Sequence, residues 1–294
     1  MGIGPANLGL YHHLARDGLF HSGQSVMELG SEDVTAEGYE DLIGELFEVL
    51  GKPKPATAEL RRLTTASGRD LYAALGFSYS CIDADGRNNA LTMDLNFEDT
   101  PSEELGRYDL VTNLGTAEHV CQDSRAFRVA HELAKPGGLI LHIAPFIGYL
   151  NHGFRNYQPE FFRSLARTNG YDFLGFWINL DGWLPSYIPW DETLLKFIDL
   201  KPGTNAALVA LFRKPHAHPY SVPFQRDYEP TMSDKIAMRY TYVVDGARLD
   251  GRLVKDIAVR SRSSLYLPER LPLTKIARIL VEQFVRRVRR RLRR

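Results

Sequence analysis

The sequence predicts an α/β chain: a mostly parallel sheet with helices on both faces. Three observations lead there. Short apolar runs alternate with amphipathic stretches over the first two-thirds of the 294 residues. Several of those runs are apolar on both faces, as strands covered on both sides must be. Glycine and proline punctuate the boundaries between them.

The elements follow in order. "SVMEL" (25–29) is apolar enough for a buried strand. "YEDLIGELFEVLG" (39–51) carries Leu42, Ile43, Leu46 and Leu50 at helical spacing, which puts them on one face. "KPKPATAE" reads as a break, and "GRDLYAALG" (68–76) as a helix closed by Gly76. "SYSCIDAD" (78–85), "NALTMDL" (89–95) and "RYDLVTNL" (107–114) read as strands. "SRAFRVAHELAKPGG" (124–138) reads as a helix stopped by Pro136 and two glycines, before a strand at "LILHIAP" (139–145). "QPEFFRSLARTNGY" (158–171) is a helix with Pro159 in its first turn. "YDFLGFWIN" (171–179) and "NAALVALFRKP" (205–215) add two strands. Residues 1–215 therefore form the sheet domain, 216–275 an irregular extension rich in proline and aromatics at its start, and 276–294 a basic amphipathic helix.

Composition narrows the classes. Apolar content of 44% and charged content of 24% exclude a disordered or membrane-spanning chain. Two cysteines, Cys81 and Cys121, exclude a disulfide framework and fit a reducing compartment. The N-terminus lacks a charged region followed by an apolar core, so the expected location is cytoplasmic. No metal set is read: the pair His12–His13 reads as a helix-surface feature, and His216 and His218 lack a third ligand. The formal net charge is zero, yet residues 276–294 hold eight Arg and one Glu. Ile276, Ile279, Leu280, Phe284 and Val288 make an apolar stripe there. That is the profile of a helix lying on an anionic membrane surface at the inner face. A nucleic-acid arm and a plain solvated tail are the alternatives.

An open parallel sheet binds ligands at the carboxyl ends of its strands. Glu28 and Gly30 follow the first strand, Asp83 and Asp85 end the second, and Asp94 follows the third. A polar cluster, Asn113 to His119, follows the fourth, and His142 lies in the fifth. A carboxylate ending the second strand suits a ribose diol, for nicotinamide cofactors and S-adenosylmethionine alike. No G-x-G-x-x-G follows the first strand, which disfavours a nicotinamide-dependent oxidoreductase.

Residues 25–150 resemble a class I S-adenosylmethionine-dependent methyltransferase. The motifs are "SVMELG", "SYSCIDADG" and "YDLVTNLGTAEHVCQDSRAFRVAHELAKPGGLILHIAPF". With "NHGFRNYQPEFF" added, the chain is similar to a bacterial subgroup with an NxGTxEH…KPGG…NHGF pattern, a subgroup linked by association to polysaccharide biosynthesis. The resemblance covers about residues 1–215 and implies a Rossmann-like sheet of seven strands with the last antiparallel.

It also implies roles. Glu28 and Gly30 would flank the methionine part of the cofactor, Asp83 the ribose (Asp85 second), and Asp94 and Leu95 the adenine. Asn113, Leu114 and Gly115 would floor the sulfonium. Glu118 and His119 would face the acceptor, with His119 first choice as base and His142 and His152 in reserve. Asn151, His152 and Tyr157 would bind a small-molecule or glycan acceptor, methylated on oxygen. One departure stands out: "ELGSEDVTAEG" has a single glycine, Gly30, where the family has two or three. The stretch 39–66 looks inserted, as a lid or substrate wall. The alternative function is an inactive, membrane-recruited binding module with the same fold.

Overall fold

The computed structural model describes residues 2–180, 187–190, 205–225, 228 and 231–237. The elements run α1 (Pro5–Arg16), β1 (Ser25–Leu29), α2 (Glu40–Val49), α3 (Thr57–Leu63), α4 (Gly68–Ala74) and β2 (Ser78–Asp83). Then come β3 (Leu91–Thr92), β4 (Tyr108–Leu114), α5 (Asp123–Leu133), β5 (Ala134–Ile147) and α6 (Pro159–Thr168). β6 (Asp172–Leu180), β7 (Tyr187–Pro189), β8 (Ala206–Arg213) and α7 (Asp234–Ala237) complete the list. The expected basic helix at 276–294 and most of the 216–275 extension lie outside the described residues. Among the described residues no helix is long and apolar enough to cross a membrane.

Among the described residues one sheet holds every strand, in the order β3-β2-β1-β4-β5-β8-β6-β7. β1 to β5 pair in parallel. β8 runs antiparallel between β5 and β6. This is the Rossmann-like order expected, with β8 as the reversed strand. The eighth strand is the three-residue β7, an antiparallel edge on β6.

Alternation along the strands builds two cores. Leu139, Leu141 and Ile143 of β5 join the cluster under α1, α2, α3 and α4. Ile140, Ala144 and Phe146 join the cluster under α5 and α6. A strand that buries both faces must be largely apolar, as β5 is from Leu139 to Phe146 apart from His142, and β8 from Ala206 to Phe212.

Four local outcomes differ from the sequence reading. Residues 57–63 form α3, because the chain turns helical directly after Ala56, past the prolines. The strand expected at 89–95 shrinks to Leu91–Thr92. Asn88 and Asn89 take positive φ before it, and Asp94 accepts the backbone N–H of Asn96 at 2.8 Å after it. The helix expected to reach residue 138 ends at Leu133, and β5 starts at once. There the Lys214 Nζ donates to the carbonyls of His131 (2.8 Å) and Ala134 (3.0 Å), satisfying helix-end acceptors. Finally, the stretch read as inserted is built into the core: Leu42, Ile43, Leu46 and Phe47 of α2 and Leu60 and Leu63 of α3 are buried with α1.

Candidate active site at the switch point of the sheet

From β1 the chain order runs outward to β2 on one side, while β4 opens the other. Loops leaving β1 and β4 therefore part company, and a crevice opens between them. A cleft of about 430 Å³ lies there, within the usual range for small-molecule sites. Gly30 to Asp33, Thr35, Asp83 and Arg87 line one side, Gly115, Thr116 and His119 the other, and Gly2 the rim.

Gly30 makes the turn out of β1. Its φ is +91°, and a Cβ there would lie 2.5 Å from Thr116 Oγ1. Only glycine meets both demands. Thr116 Oγ1 in turn donates to the Leu29 carbonyl at 2.6 Å, locking the two loops together. The Ser31 backbone N–H donates to Asp83 Oδ2 at 2.8 Å, so the end of β2 braces the same turn. Asn88 Nδ2 adds a 2.8 Å bond to Ser31 Oγ.

The crevice is acidic. Glu32, Asp33 and Asp83 line it against one guanidinium, Arg87, and Arg87 is already engaged by Asp85 at 2.5 Å and Asp33 at 3.6 Å. Burial, reinforced by the neighbouring carboxylates Glu28, Glu118 and Asp83, pushes Glu32 up to about 8. Glu28 sits fully buried beneath the loop. Its Oε2 accepts from Tyr79 Oη at 2.6 Å and the Glu32 backbone N–H at 3.2 Å. Burial still drives it up to about 7. So Glu28 supports the loop from below and does not line the cleft.

The turn after β4 is organised by Asn113. Its Oδ1 accepts the backbone N–H groups of Thr116 and Ala117, each at 3.1 Å. Its Nδ2 meets His142 Nδ1 at 3.2 Å. This fixes the short turn that carries Glu118 and His119, of which His119 lines the cleft. Glu118 is fully buried, and burial raises its carboxyl to about 7. His152 Nε2 stands 3.7 Å from Glu118 Oε1, and the His119 and His152 rings meet edge-on at 4.9 Å.

The sequence-predicted residues therefore divide. Gly30, Asp83, Gly115 and His119 line the cleft. Asn113 and the fully buried Leu114 form its support. Glu118 and His152 gather at the His119 side. His142 does not belong to the site: it is 1% exposed among Phe127, Phe162 and Phe212, and burial lowers it to about 3, so it stays neutral. Asp94 is exposed and spends Oδ1 on Asn96. Leu95 is a core residue. Neither lines the cleft. Asn151 is exposed with φ 58°, and Tyr157 is buried against Phe127 and Phe161.

Gly2, Ser31, Thr35 and Arg87 were not read as site residues. Gly2 and Thr35 reach the cleft because Ile3 bridges Val34 in parallel, a non-local pairing with no sequence signature.

No protein-family model matches the chain, and no curated protein matches it. Several solved structures are similar in fold. One is a Burkholderia thailandensis 1,6-didemethyltoxoflavin-N1-methyltransferase with bound S-adenosylhomocysteine, at 13% identity over 71% of this chain and 78% of that one, TM-score 0.40. Another is a Haemonchus contortus phosphoethanolamine N-methyltransferase in complex with S-adenosyl-L-methionine, at 12% identity over 71% and 53%, TM-score 0.38. A third is a 16S rRNA (adenine(1408)-N(1))-methyltransferase from Catenulisporales acidiphilia, at 10% identity over 71% and 94%, TM-score 0.37. Likeness this distant transfers no activity. The chemistry of the cleft rests on its own residues.

Proposed function

We propose that the chain is an S-adenosylmethionine-dependent methyltransferase that acts on a hydroxyl of a small-molecule or saccharide acceptor. The observation that carries this is the acidic cleft at the switch point, with Asp83 at the end of β2 and Glu32 and Asp33 on the loop after β1. Glu32, raised to about 8, is mostly neutral near pH 7, but Asp33 and Asp83 against one guanidinium already held by Asp85 still leave a concave acidic site that favours a cationic ligand. A ligand joining a cation to a ribose diol fits both the charge and the position of Asp83.

Bound there, S-adenosylmethionine supplies an activated methyl group. The chain's own residues do the rest. Asp83 accepts hydroxyl hydrogens with the lone pairs that Ser31 leaves free. Asp33 holds the positive end, and Glu32, mostly a neutral carboxyl near pH 7, adds a hydrogen-bonding oxygen. Gly30 and Gly115 let backbone come close to the ligand. The polar group of Glu118, His119 and His152 faces the acceptor side, where it orients a hydroxyl and takes its proton onto a carboxylate oxygen or ring nitrogen. In this loop Gly30 alone supplies the turn out of β1.

Methyl-labelled S-adenosylmethionine incubated with a panel of saccharides, phenols and amines tests the reaction. Label transferred to hydroxyl acceptors is expected, and transfer to amines alone would refute oxygen methylation. A saccharide linked to membrane would fit the basic segment at 276–294 and a site of action at the cytoplasmic membrane face. Sedimentation with anionic vesicles, with and without residues 276–294, checks that part: unchanged binding after deletion would contradict it.

A further inference from the structure

Glu118, His119 and His152 converge in a way that the fold does not require. Each offers one ligand atom, and these atoms all lie within 4.8 Å of one another. Glu118 carries the strongest sign. The residue is fully buried, yet neither Oε1 nor Oε2 has a hydrogen-bond partner among the described residues. A buried carboxylate with both oxygens unsatisfied is costly, and native structures rarely leave one so. His152 Nε2, 3.7 Å from Oε1, is too far for a hydrogen bond.

That spacing suits two ligands of one ion. Atoms about 2.1 Å from a shared metal and 3.7 Å apart subtend about 120° at it. The loop bearing His152 is also fixed to Glu118. The Phe154 backbone N–H donates to the Glu118 carbonyl at 2.7 Å. A Cβ on Gly153 would lie 3.0 Å from Glu118 Cγ and from the same carbonyl, so glycine permits this approach. Both histidines are exposed while Glu118 is buried. An ion held here would keep its remaining positions open toward solvent and the cleft.

We propose that Glu118, His119 and His152 form a binding site for a divalent first-row transition ion at the acceptor side of the cleft. Two imidazoles and one carboxylate are a borderline donor set, suited to Zn²⁺, Mn²⁺, Fe²⁺ or Co²⁺ over Mg²⁺ or Ca²⁺. Three protein ligands with open positions are the pattern of a reactive centre, not a structural one. The role of the ion rests on the proposed function: coordinated to it, an acceptor hydroxyl loses its proton more readily and is held in line. His119 is then a ligand, and the hydroxyl proton leaves to solvent. The sequence reading found no metal set because His152 comes from the loop after β5 and reaches the other two only through the fold.

The test is a titration of the full chain, free of any histidine tag, with Co²⁺ followed by visible absorption and calorimetry, and with Zn²⁺ in competition. It needs no S-adenosylmethionine, so its failure is separate from failure of the methyltransferase reading. One Co²⁺ per chain is expected, displaced by Zn²⁺. His152→Ala, on an exposed loop, and Glu118→Gln should each weaken it on the order of tenfold or more. His216→Ala, at the other histidine pair, should leave it unchanged. Absence of stoichiometric binding, or binding that His152→Ala leaves intact, would overturn the site.

Discussion

Asp83 Oδ2 accepts the backbone N–H of Ser31 at 2.8 Å, tying the end of β2 to the turn that leaves β1. One carboxylate thus shapes the loop and faces the cleft that the loop lines. The two roles separate by substitution. Asp83→Asn keeps an oxygen for Ser31 but lacks a charge and a second acceptor for a diol. It should fold with nearly unchanged thermal stability and bind S-adenosylmethionine about tenfold more weakly or worse. Asp83→Ala should lose the brace as well, at about 1–2 kcal/mol of stability. Thermal melts paired with calorimetry read both effects, and equal stability loss in the two variants would contradict the division.

Gly30→Ala combines a left-handed backbone with a contact of 2.5 Å to Thr116 Oγ1. The expected cost is about 1–3 kcal/mol. Pairing it with Thr116→Ala removes the clash but leaves the φ of +91°, so the double variant should recover stability only in part. Full recovery in denaturant titrations would mean that the backbone conformation costs nothing.

Glu28 gives the stability curve a pH signature. Burial raises its folded value to about 7 from 4.5, against opposing hydrogen bonds from Tyr79 and the Glu32 backbone. The folded state therefore holds a proton that the unfolded state releases. Stability is fully present below 4.5 and is lost as the pH rises through about 7. The whole effect is about 3 kcal/mol. Glu28→Gln should flatten that decline, read from urea midpoints between pH 4.5 and 8. Glu32, raised in the same direction, keeps part of the slope. Parallel curves for the two proteins would place the raised group elsewhere.

Gly153→Ala would press on Glu118 and move the His152 loop. It touches nothing that lines the cleft on the Asp83 side. Methyl transfer should fall about tenfold or more, while S-adenosylmethionine affinity holds. A loss confined to cofactor affinity would detach this loop from the acceptor side.

Much of the fold was legible because strands buried on both faces are largely apolar. "LILHIAP" and "NAALVALFRKP" stand out for that reason, and both are central strands. The antiparallel run of the last strand was legible only through the resemblance, and its place between β5 and β6 was not legible, since local pattern carries no strand order. The cleft was half legible. Asp83, Gly30 and His119 sit at strand ends, where open sheets bind ligands. His142 misled because a histidine in an apolar strand has the same spelling whether it faces a cleft or a phenylalanine cluster. Asp94 misled because aspartate serves turns as readily as ligands. Gly2, Thr35 and the partnership of Glu118 with His152 depend on long-range contacts that spacing does not encode.

The most direct measurement is calorimetric titration of the intact protein with S-adenosylmethionine and, separately, S-adenosylhomocysteine. Micromolar binding of both, at one site per chain and weakened by Asp83→Asn, is the predicted result. A folded protein that binds neither would contradict the central claim, and the cleft between β1 and β4 would then serve another cationic ligand.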